Sequence, residues 1–569
     1  MLGVAGCDCD EGRQVVLDDM GVDGGPIFLD CVGTDTAMTT ISCDVSRNVC
    51  CNNAQGLPSC VAIPFCDSPF QCDSLEPPDA TNDCTYRADL TQGQMATHLD
   101  IASATDGTLM ISGYAPGSFP NPRYGDLVVG LVSNGNVSWS IVDGVPAGAN
   151  PVEESGIFPS TTGWRGGITA PGDNVGEFNA IAFSGSTVAV SYYDRTNGDL
   201  KYASSTDGGT TWSIHTVYSD GDAGRYTSLA FMVDGRPAIS FLSITPSEDP
   251  AQPPRSMVRV AVAASATPGA AADWTTFPII ADPGTAVACR ANMCGEGLLC
   301  RADNGACGLE SSDEDVDCSF VDRDGATQPG CGSGTKCVSG SNGTTFSCVA
   351  TIGTTYVEDV LEVDGLYTSL RATNTGLALV WHNRVRRTLL GSAFDATAGT
   401  WRAPFRIDGF DAVGSGDAGY NADLFIDAAG NWHVAYVDGA FEELRHAQID
   451  ATTLVNVNPT IVRSVIDDGT RPPRERSIVG SDADIAVLST GAIRVVYQDS
   501  TQSEALLATR DAGSTTWTLQ GGNLGDPMDA EDSTGYWTTQ TLVGDTSHIA
   551  TWWFNATEIV NGTRVFTIP

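Results

Sequence analysis

The sequence predicts an all-β protein, a seven-bladed β-propeller, from three observations. A phrase of about 50 residues recurs along the chain, each copy opening with a glycine and an aromatic or small residue before a short strand. Each copy continues into a second strand that ends near an aromatic residue. Asn-Gly and Asp-Gly pairs separate the apolar runs, and they are strong signals for hairpins. Six blades are the alternative, because the first and last copies are weak.

The copies fix the order of the blades. The clearest begin at Gly176, Gly224, Gly365 and Gly419, and weaker ones begin at Gly93, Gly480 and Gly535. The second copy contains four strands, over 180–183, 188–193, 200–204 and 212–218. The aromatic residues that close the second strands are predicted to pack between blades: Tyr193, Phe241, Trp381, Tyr436, Tyr497 and Trp552.

The domain organisation follows from interruptions of the repeat. Residues 1–84 form a cysteine-rich N-terminal module, and residues 85–286 carry blades 1–3. Residues 287–350 form a cysteine-rich module inserted between blades, and residues 351–569 carry blades 4–7. Residues 85–90 are predicted to add the outer strand of the last blade, which closes the ring and removes exposed sheet edges.

Eighteen cysteines fall into two blocks. Both blocks have even counts, and no Cys-x-x-Cys pair repeats at zinc-finger spacing, so disulfides are favoured over zinc. Disulfides indicate an extracellular or cell-surface location. The disulfide cysteines of the inserted module are Cys289, Cys294, Cys300, Cys307, Cys318, Cys331, Cys337 and Cys348.

The chain is strongly acidic. Seventy Asp and Glu against 29 Lys and Arg give a net charge of −41, which disfavours nucleic acid and anionic membranes as partners. The sequence lacks an apolar run long enough for a membrane span. The start, Leu2 to Cys7, resembles the lipobox of bacterial lipoproteins, which implies lipidation of Cys7 and a membrane contact through that anchor alone. A chance match is the alternative.

Two segments resemble the Asp box of sialidase-like (Asp-box, or BNR-repeat) propellers. The resemblance implies a propeller fold and an Asp that caps the amides of its own turn, while a Trp packs between blades. In that family the turn lies on the outer rim, away from the active centre. The matching residues are Ser205, Asp207, Gly209, Thr211 and Trp212, and then Asp511, Gly513 and Trp517.

The family's enzymes hold a carboxylate with three arginines, the first in an Arg-Ile-Pro motif, which does not occur in this sequence. Arg225 and Arg371 recur near the first strands of two repeats and are predicted to face the central channel. The tyrosines near the repeat openings are candidate ligand contacts. They are Tyr226, Tyr367 and Tyr420.

Acidic turns precede several repeat openings. If they share one face of the propeller, their carboxylates would suit Ca²⁺, which prefers six to eight oxygen ligands. Solvated turn residues are the alternative. The candidate ligands are Asp220, Asp222, Asp417, Asp482 and Asp484.

These observations favour a secreted or surface-anchored recognition protein that binds an extracellular glycan or protein without catalysis. One alternative is a sialidase-like glycoside hydrolase or lyase that uses Arg225 and Arg371 with acids such as Asp194 or Asp423. Another is a structural subunit of an extracellular assembly.

Overall fold

The protein, seen in a computed structural model, is a ring of seven antiparallel sheets, as the repeats predict. The structure describes residues 96–116, 125–148, 172–245, 255–279, 363–409, 416–471, 476–520, 524, 532–555 and 560–569, with short strands within 28–62 and 285–352. Three blades precede residues 285–352 in the chain and four follow them. In these parts of the chain no helix is long and apolar enough to cross a membrane.

Each blade runs outward from the channel in chain order. Blade 1 contains Thr97–Ser103, Leu109–Pro116, Gly125–Ser133 and Asn136–Asp143; blade 2 contains Val175–Ser184, Thr187–Asp194, Asp199–Ser205 and Ser213–Tyr218; blade 3 contains Asp222–Phe231, Pro237–Thr245, Arg255–Ala263 and Trp274–Ile279, with Thr285–Ala286 beside its third strand.

The later blades repeat this order. Blade 4 contains Asp364–Thr373, Gly376–Asn383, Thr388–Asp395, Thr400–Trp401 and Phe405–Gly409; blade 5 contains Ala418–Ile426, Trp432–Asp438, Glu443–Ile449 and Ile461–Asp467; blade 6 contains Val479–Val487, Ile493–Asp499, Glu504–Arg510 and Thr518–Gln520; blade 7 contains Asp532–Val543, Thr546–Asn555 and Val560–Ile568. The described residues also form two short 3₁₀ turns, Ala271–Asp273 and Ala451–Thr453.

The cysteine-rich regions contribute small antiparallel pairings. The paired strands are Phe28–Val32 with Thr40–Asp44, Asn48–Asn52 with Pro58–Ala62, Leu298–Arg301 with Cys307–Leu309 and Thr351–Ile352, Phe320–Val321 with Thr327–Gln328, and Lys336–Ser339 with Phe346–Val349. The cysteine side chains lie outside the described residues, as do Cys7 and the predicted closing segment 85–90. The disulfides, the lipidation and that strand therefore stay predictions.

The hydrophobic core lies between neighbouring blades. Tyr497 of blade 6 is fully buried against Leu444 of blade 5, and Phe241, Trp381 and Tyr436 are buried in equivalent layers, as predicted. Such burial stabilises the folded state by roughly 25 cal/mol per Å² of apolar surface removed from water. Each sheet thus buries both faces against its neighbours, which lets a long chain avoid a single large core.

The first and last blades also pack together. Ala550 of blade 7 joins the core that contains Ile101 and Ile111 of blade 1. Nearby, the Ser103 hydroxyl lies 3.1 Å from the Thr541 hydroxyl and donates to the Leu542 carbonyl at 3.0 Å. The ring is therefore closed by core and polar contacts between its two ends.

A candidate binding site in the central channel

One backbone irregularity repeats in all seven inner strands. In blade 2 the pairing skips from Ser191–Ala180 to Tyr193–Glu177, so Phe178 and Asn179 stand opposite Tyr192 alone. This is a β-bulge, which re-aims the side chain of the bulged residue. Equivalent register shifts occur in the other six blades.

The recurring glycine makes this bulge possible. Gly224 has φ +111°, and a Cβ there would lie 2.9 Å from Leu200 Cα of the neighbouring blade. Glycine tolerates both the positive φ and the close approach. Blade 1 differs, because Ala96 occupies the equivalent position with φ +74° and Gly113 opposite leaves the room. The sequence-based start at Gly93 was therefore wrong by three residues.

Two residues after this anchor position, a non-glycine residue adopts φ between +47° and +53° in every blade. Left-handed backbone is uncommon for such residues and often marks functional sites. All seven side chains line one cavity of about 240 Å³ on the propeller axis. In order around the ring they are His98, Phe178, Tyr226, Tyr367, Asn421, Asp482 and Trp537.

Five of these residues form a continuous aromatic crescent: Trp537, His98, Phe178, Tyr226 and Tyr367. Neighbouring ring centroids lie 5.6, 5.0, 4.7 and 4.9 Å apart in that order. These separations are typical of tilted and edge-to-face aromatic pairs. Asn421 and Asp482 fill the two remaining positions, so the ring has an apolar arc and a short polar arc.

A second layer of cavity-lining residues follows two positions later in each blade. In five blades its side chain accepts a hydrogen bond from a backbone N–H of the next blade. The first four of these bonds are Asp100 from Ile181 at 2.8 Å, Ser228 from Leu370 at 3.0 Å, Ser369 from Leu424 at 3.1 Å and Asp423 from Ile485 at 3.1 Å. In blade 6, Asp484 accepts from Gln540 at 2.9 Å. Serine makes the same bond in blades 3 and 4. The negative charge of the three carboxylates is therefore not needed to hold neighbouring blades together.

Arg371 is the guanidinium among the described cavity-lining residues. Its Nη2 lies 2.8 Å from Asp423 Oδ1. Burial alone would lower the pKa of Arg371, but the carboxylates of Asp423, Asp484 and Asp100 outweigh it and raise the pKa. Arg371 is thus a fixed counter-charge to Asp423.

The other channel carboxyls are shifted toward the neutral form. Burial raises the pKa of Asp100 to about 6 and that of Asp482 to about 6. Burial, followed by repulsion from Asp423, raises the pKa of Asp484 well above its ordinary value. Carboxyls that titrate near neutrality in a cavity are candidates for binding or acid–base chemistry.

Thr539 connects two of these acids. Its hydroxyl lies 3.1 Å from Asp100 Oδ1 and 3.1 Å from Asp484 Oδ2. A hydroxyl carries one proton but two acceptor lone pairs. The three groups are best satisfied when one carboxyl is protonated and donates to Thr539, in agreement with the raised pKa values.

Only some of the ligand contacts predicted from the sequence lie in the cavity. Tyr226, Tyr367 and Arg371 line the cavity, whereas Arg225 does not. Arg225 is buried, donates to the Tyr193 hydroxyl at 3.1 Å and pairs with Asp222 at 3.2 Å. The expectation that two arginines face the channel was therefore wrong, because the bulge turns Tyr226 inward and its neighbour outward.

Tyr420 also lies outside the cavity lining, whose blade 5 ring residue is Asn421. The Tyr420 ring lies 4.3 Å from that of His382, and its hydroxyl donates to Asp417 at 3.1 Å. The prediction that Tyr420 contacts the ligand was wrong by one residue. The bulged residue lies two positions after the anchor glycine, whereas Tyr420 lies one position after it.

The five predicted calcium ligands are dispersed. Asp222 pairs with Arg225, Asp417 receives the Tyr420 hydroxyl, and Asp482 and Asp484 line the channel. Asp220 is exposed and lies 3.3 Å from the Tyr218 hydroxyl. Over the described ranges no three His, Cys, Asp or Glu residues are arranged to hold a metal ion.

The segment Ser205–Trp212 forms the self-capped turn expected from its sequence. Asp207 Oδ1 accepts from the Thr211 and Thr210 amides at 2.9 and 3.1 Å, and Ser205 Oγ accepts from the Gly209 amide at 2.9 Å. The Thr211 amide, together with the Thr211 and Ser205 hydroxyls, lowers the pKa of Asp207 to about 2. The turn joins the two outer strands of blade 2, away from the cavity. Trp517, in the second such segment, donates to Ser464 of blade 5 at 3.2 Å.

Several cavity residues were missed from sequence. His98 and Asp100 escaped because the first repeat was anchored at Gly93, and Trp537 and Thr539 because the last repeat is weak. The usable signal was the fixed spacing of two and four residues after the anchor glycine.

Comparison with known proteins assigns no family. No family model matches this chain, and no curated protein matches its sequence significantly. Among solved structures, it is similar to polysaccharide lyase Uly1 (9% identity, 84% of this chain and 90% of that chain, TM-score 0.40) and to a Trypanosoma rangeli sialidase bound to the inhibitor DANA (10%, 68% and 54%, 0.33). It is also similar to a protein of unknown function from Dyadobacter fermentans (10%, 68% and 94%, 0.35). At these identities and TM-scores, function has to be argued from this chain's own residues.

Proposed function

We propose that this propeller binds carbohydrate at the mouth of its central channel. The aromatic crescent is the observation that carries the proposal. Sugar rings present flat C–H faces that pack on aromatic faces, and small-ligand pockets combine an apolar lining with a few placed polar groups. Phe178 and Tyr226, with ring centroids 4.7 Å apart, supply the centre of such a platform.

The polar arc supplies the complementary hydrogen bonds. The Asn421 side chain offers both donors and acceptors, and the Asp482 carboxylate offers acceptors. Asp482 Oδ2 already accepts from the Trp537 amide at 2.7 Å, which holds the carboxylate in place. Sugar hydroxyls, which donate and accept, match this set.

The site is organised before the ligand arrives. Each ring residue is held by its bulge, and polar side chains tie neighbouring bulges together: Thr227 donates to the Phe178 carbonyl and Thr368 to the Tyr226 carbonyl, both at 2.6 Å. A preorganised site loses less conformational entropy on binding. We propose a secreted or surface-anchored setting for this activity, supported by the even cysteine counts.

A glycan array tests this function directly. The oxidised protein is screened beside Tyr226→Leu and the control Tyr218→Leu, which alters a half-buried tyrosine outside the cavity. We expect binding by wild type and control, and affinity about fivefold weaker for Tyr226→Leu, since an aromatic contact contributes about 1 kcal/mol. Silence of all three proteins would refute glycan binding. Repeating the array with calcium and with chelator tests whether binding depends on calcium, the ion that the acidic turns would suit.

Glycoside hydrolysis is the second candidate, favoured by the Thr539 bridge between Asp100 and Asp484. Glycosidases need one protonated and one ionised carboxyl, and raised pKa values keep a proton available in this pair. If bound glycans are cleaved, new reducing ends appear with wild type, and Asp484→Asn abolishes them while binding persists. Intact glycans after prolonged incubation would leave a binding protein without this activity.

A further inference from the structure

The ionisable side chains of the channel are mainly acidic. The described lining contains four carboxyls, one imidazole and one guanidinium: Asp100, Asp423, Asp482, Asp484, His98 and Arg371. The guanidinium is bound to Asp423 at 2.8 Å. No second Arg or Lys lines the cavity in the part of the chain that the structure describes. An incoming anion would therefore meet repulsion with no uncommitted cation to offset it.

Two of these carboxyl groups keep an oxygen available, and the positive charge of a bound ammonium would favour their ionised form. Asp482 Oδ2 accepts from the Trp537 amide at 2.7 Å, and Asp484 Oδ2 accepts from the Gln540 amide at 2.9 Å. For both residues Oδ1 has no hydrogen-bond partner within the described ranges. The two residues are two positions apart on one strand and both line the cavity. A group with several N–H donors would satisfy both oxygens at once.

The aromatic crescent adds a second attraction for positive charge. Trp537, at one end of the crescent, is also the residue whose amide holds Asp482. Aromatic faces attract cations with about 0.5–2 kcal/mol, and tryptophan is the strongest of them. A cationic group at this end of the ring would meet an indole and two carboxylates.

We infer that the glycan bound in the channel carries a free amino group, which is seated as an ammonium between Trp537, Asp482 and Asp484. The inference rests on the proposed glycan-binding function and specifies its ligand. The rest of the sugar ring packs on the crescent and bonds to Asn421. The inference disfavours sialic acids and uronates, whose carboxylates would face the acidic wall.

An amino sugar fits this cavity better than a lysine-rich peptide. The cavity of about 240 Å³ admits one small group, below the roughly 300–1,000 Å³ of drug-sized pockets. The ammonium of a lysine side chain would bind the carboxylates but make no contact with the aromatic arc beyond Trp537 or with the Asn421 amide. A sugar ring that carries an amine can contact the carboxylates, the aromatic arc and the Asn421 amide.

Calorimetry with matched probes tests the inference. The oxidised protein is titrated at low salt with glucosamine tetramer, its N-acetylated counterpart, galacturonate tetramer and an oligolysine peptide. The expected result is that the glucosamine tetramer binds at least about tenfold more tightly than the acetylated form. The double variant Asp482→Asn/Asp484→Asn should bring this ratio close to one, whereas Asp106→Asn, in an exposed turn, should leave it unchanged.

The outcomes separate the inference from the function on which it rests. Equal or tighter binding of the acetylated or galacturonate tetramer overturns the amino-group inference and leaves glycan binding in place. Binding of oligolysine with no binding of any sugar overturns both. The asparagine substitutions preserve shape and the accepting oxygen, and thermal unfolding checks that the double variant is folded.

Discussion

The rings of Phe178 and Tyr226 lie with centroids 4.7 Å apart, although they belong to different blades. Both residues have φ close to +50°, and each is the bulged residue of its inner strand. A repeated backbone irregularity, which the anchor residue of each repeat makes possible, brings the aromatic residues together. The propeller thus builds its candidate site from seven copies of one device and varies only the side chain displayed.

The bulge requires glycine most strictly where blades approach closely. Gly224→Ala should lower the free energy of unfolding by more than about 2 kcal/mol, because it adds left-handed strain and a Cβ 2.9 Å from Leu200 Cα. Gly185→Ala is the control, since Gly185 also has positive φ but a Cβ there would meet no atom within 4 Å. Denaturant unfolding compares them, and equal losses would contradict the role of close approach.

Asp482 makes stability depend on pH. Its folded-state pKa of about 6 lies above the ordinary value of 3.8, so its stabilising contribution is complete below about pH 4 and is lost as pH rises through about 6. Asp482→Asn retains an oxygen that accepts from the Trp537 amide and cannot ionise.

We therefore expect Asp482→Asn to gain stability relative to wild type between about pH 4 and pH 6, by up to about 3 kcal/mol. Denaturant unfolding of both proteins across this range measures the difference. If the free energies of unfolding of the two proteins change in parallel with pH, burial of the Asp482 carboxyl has no energetic consequence.

Polar bonds between blades are individually important. Ser369 Oγ accepts from the Leu424 amide at 3.1 Å and donates to Asp423 at 2.9 Å. Ser369→Ala leaves a buried N–H unsatisfied and should cost about 1–3 kcal/mol. Ser138→Ala, on an exposed strand of blade 1, should change stability by less than about 0.5 kcal/mol. Similar values for the two variants would argue against an inter-blade role for Ser369.

The two Asp-box-like turns differ in how their aspartates are used. Asp207 accepts from two backbone amides and from the Ser205 and Thr211 hydroxyls, whereas Asp511 makes no side-chain hydrogen bond within the described part of the chain. Asp207→Ala should therefore lower the melting temperature, and Asp511→Ala should do so much less. Differential scanning calorimetry distinguishes them, and the reverse order would refute the capping role.

The sequence predicted the blades better than the site. Glycine spacing and Asn-Gly turns give strand order and blade number, because hairpins are local. The bulge is also local, but its consequence is not: which side chain faces the axis depends on register within the sheet. An error of one residue therefore selected Tyr420 in place of Asn421 and placed Arg225 in the channel.

The acids with raised pKa values could not be predicted from the sequence for a related reason. Asp100, Asp484 and Thr539 come from blades 1, 6 and 7, and they meet only because the ring closes. Their pKa shifts depend on burial along the axis, which no local pattern encodes. The prediction that Arg371 faces the channel held because its strand position, four residues after Tyr367, is set by the same repeat.

The most direct test of the central claim is a crystal structure of the oxidised protein with the tightest-binding glycan from the array. We predict a sugar ring stacked against Phe178 and Tyr226, with its amino nitrogen within hydrogen-bond distance of Asp482 or Asp484. Ligand density on the 287–350 module, or on the outer rim of the blades, would contradict the assignment of the channel as the binding site.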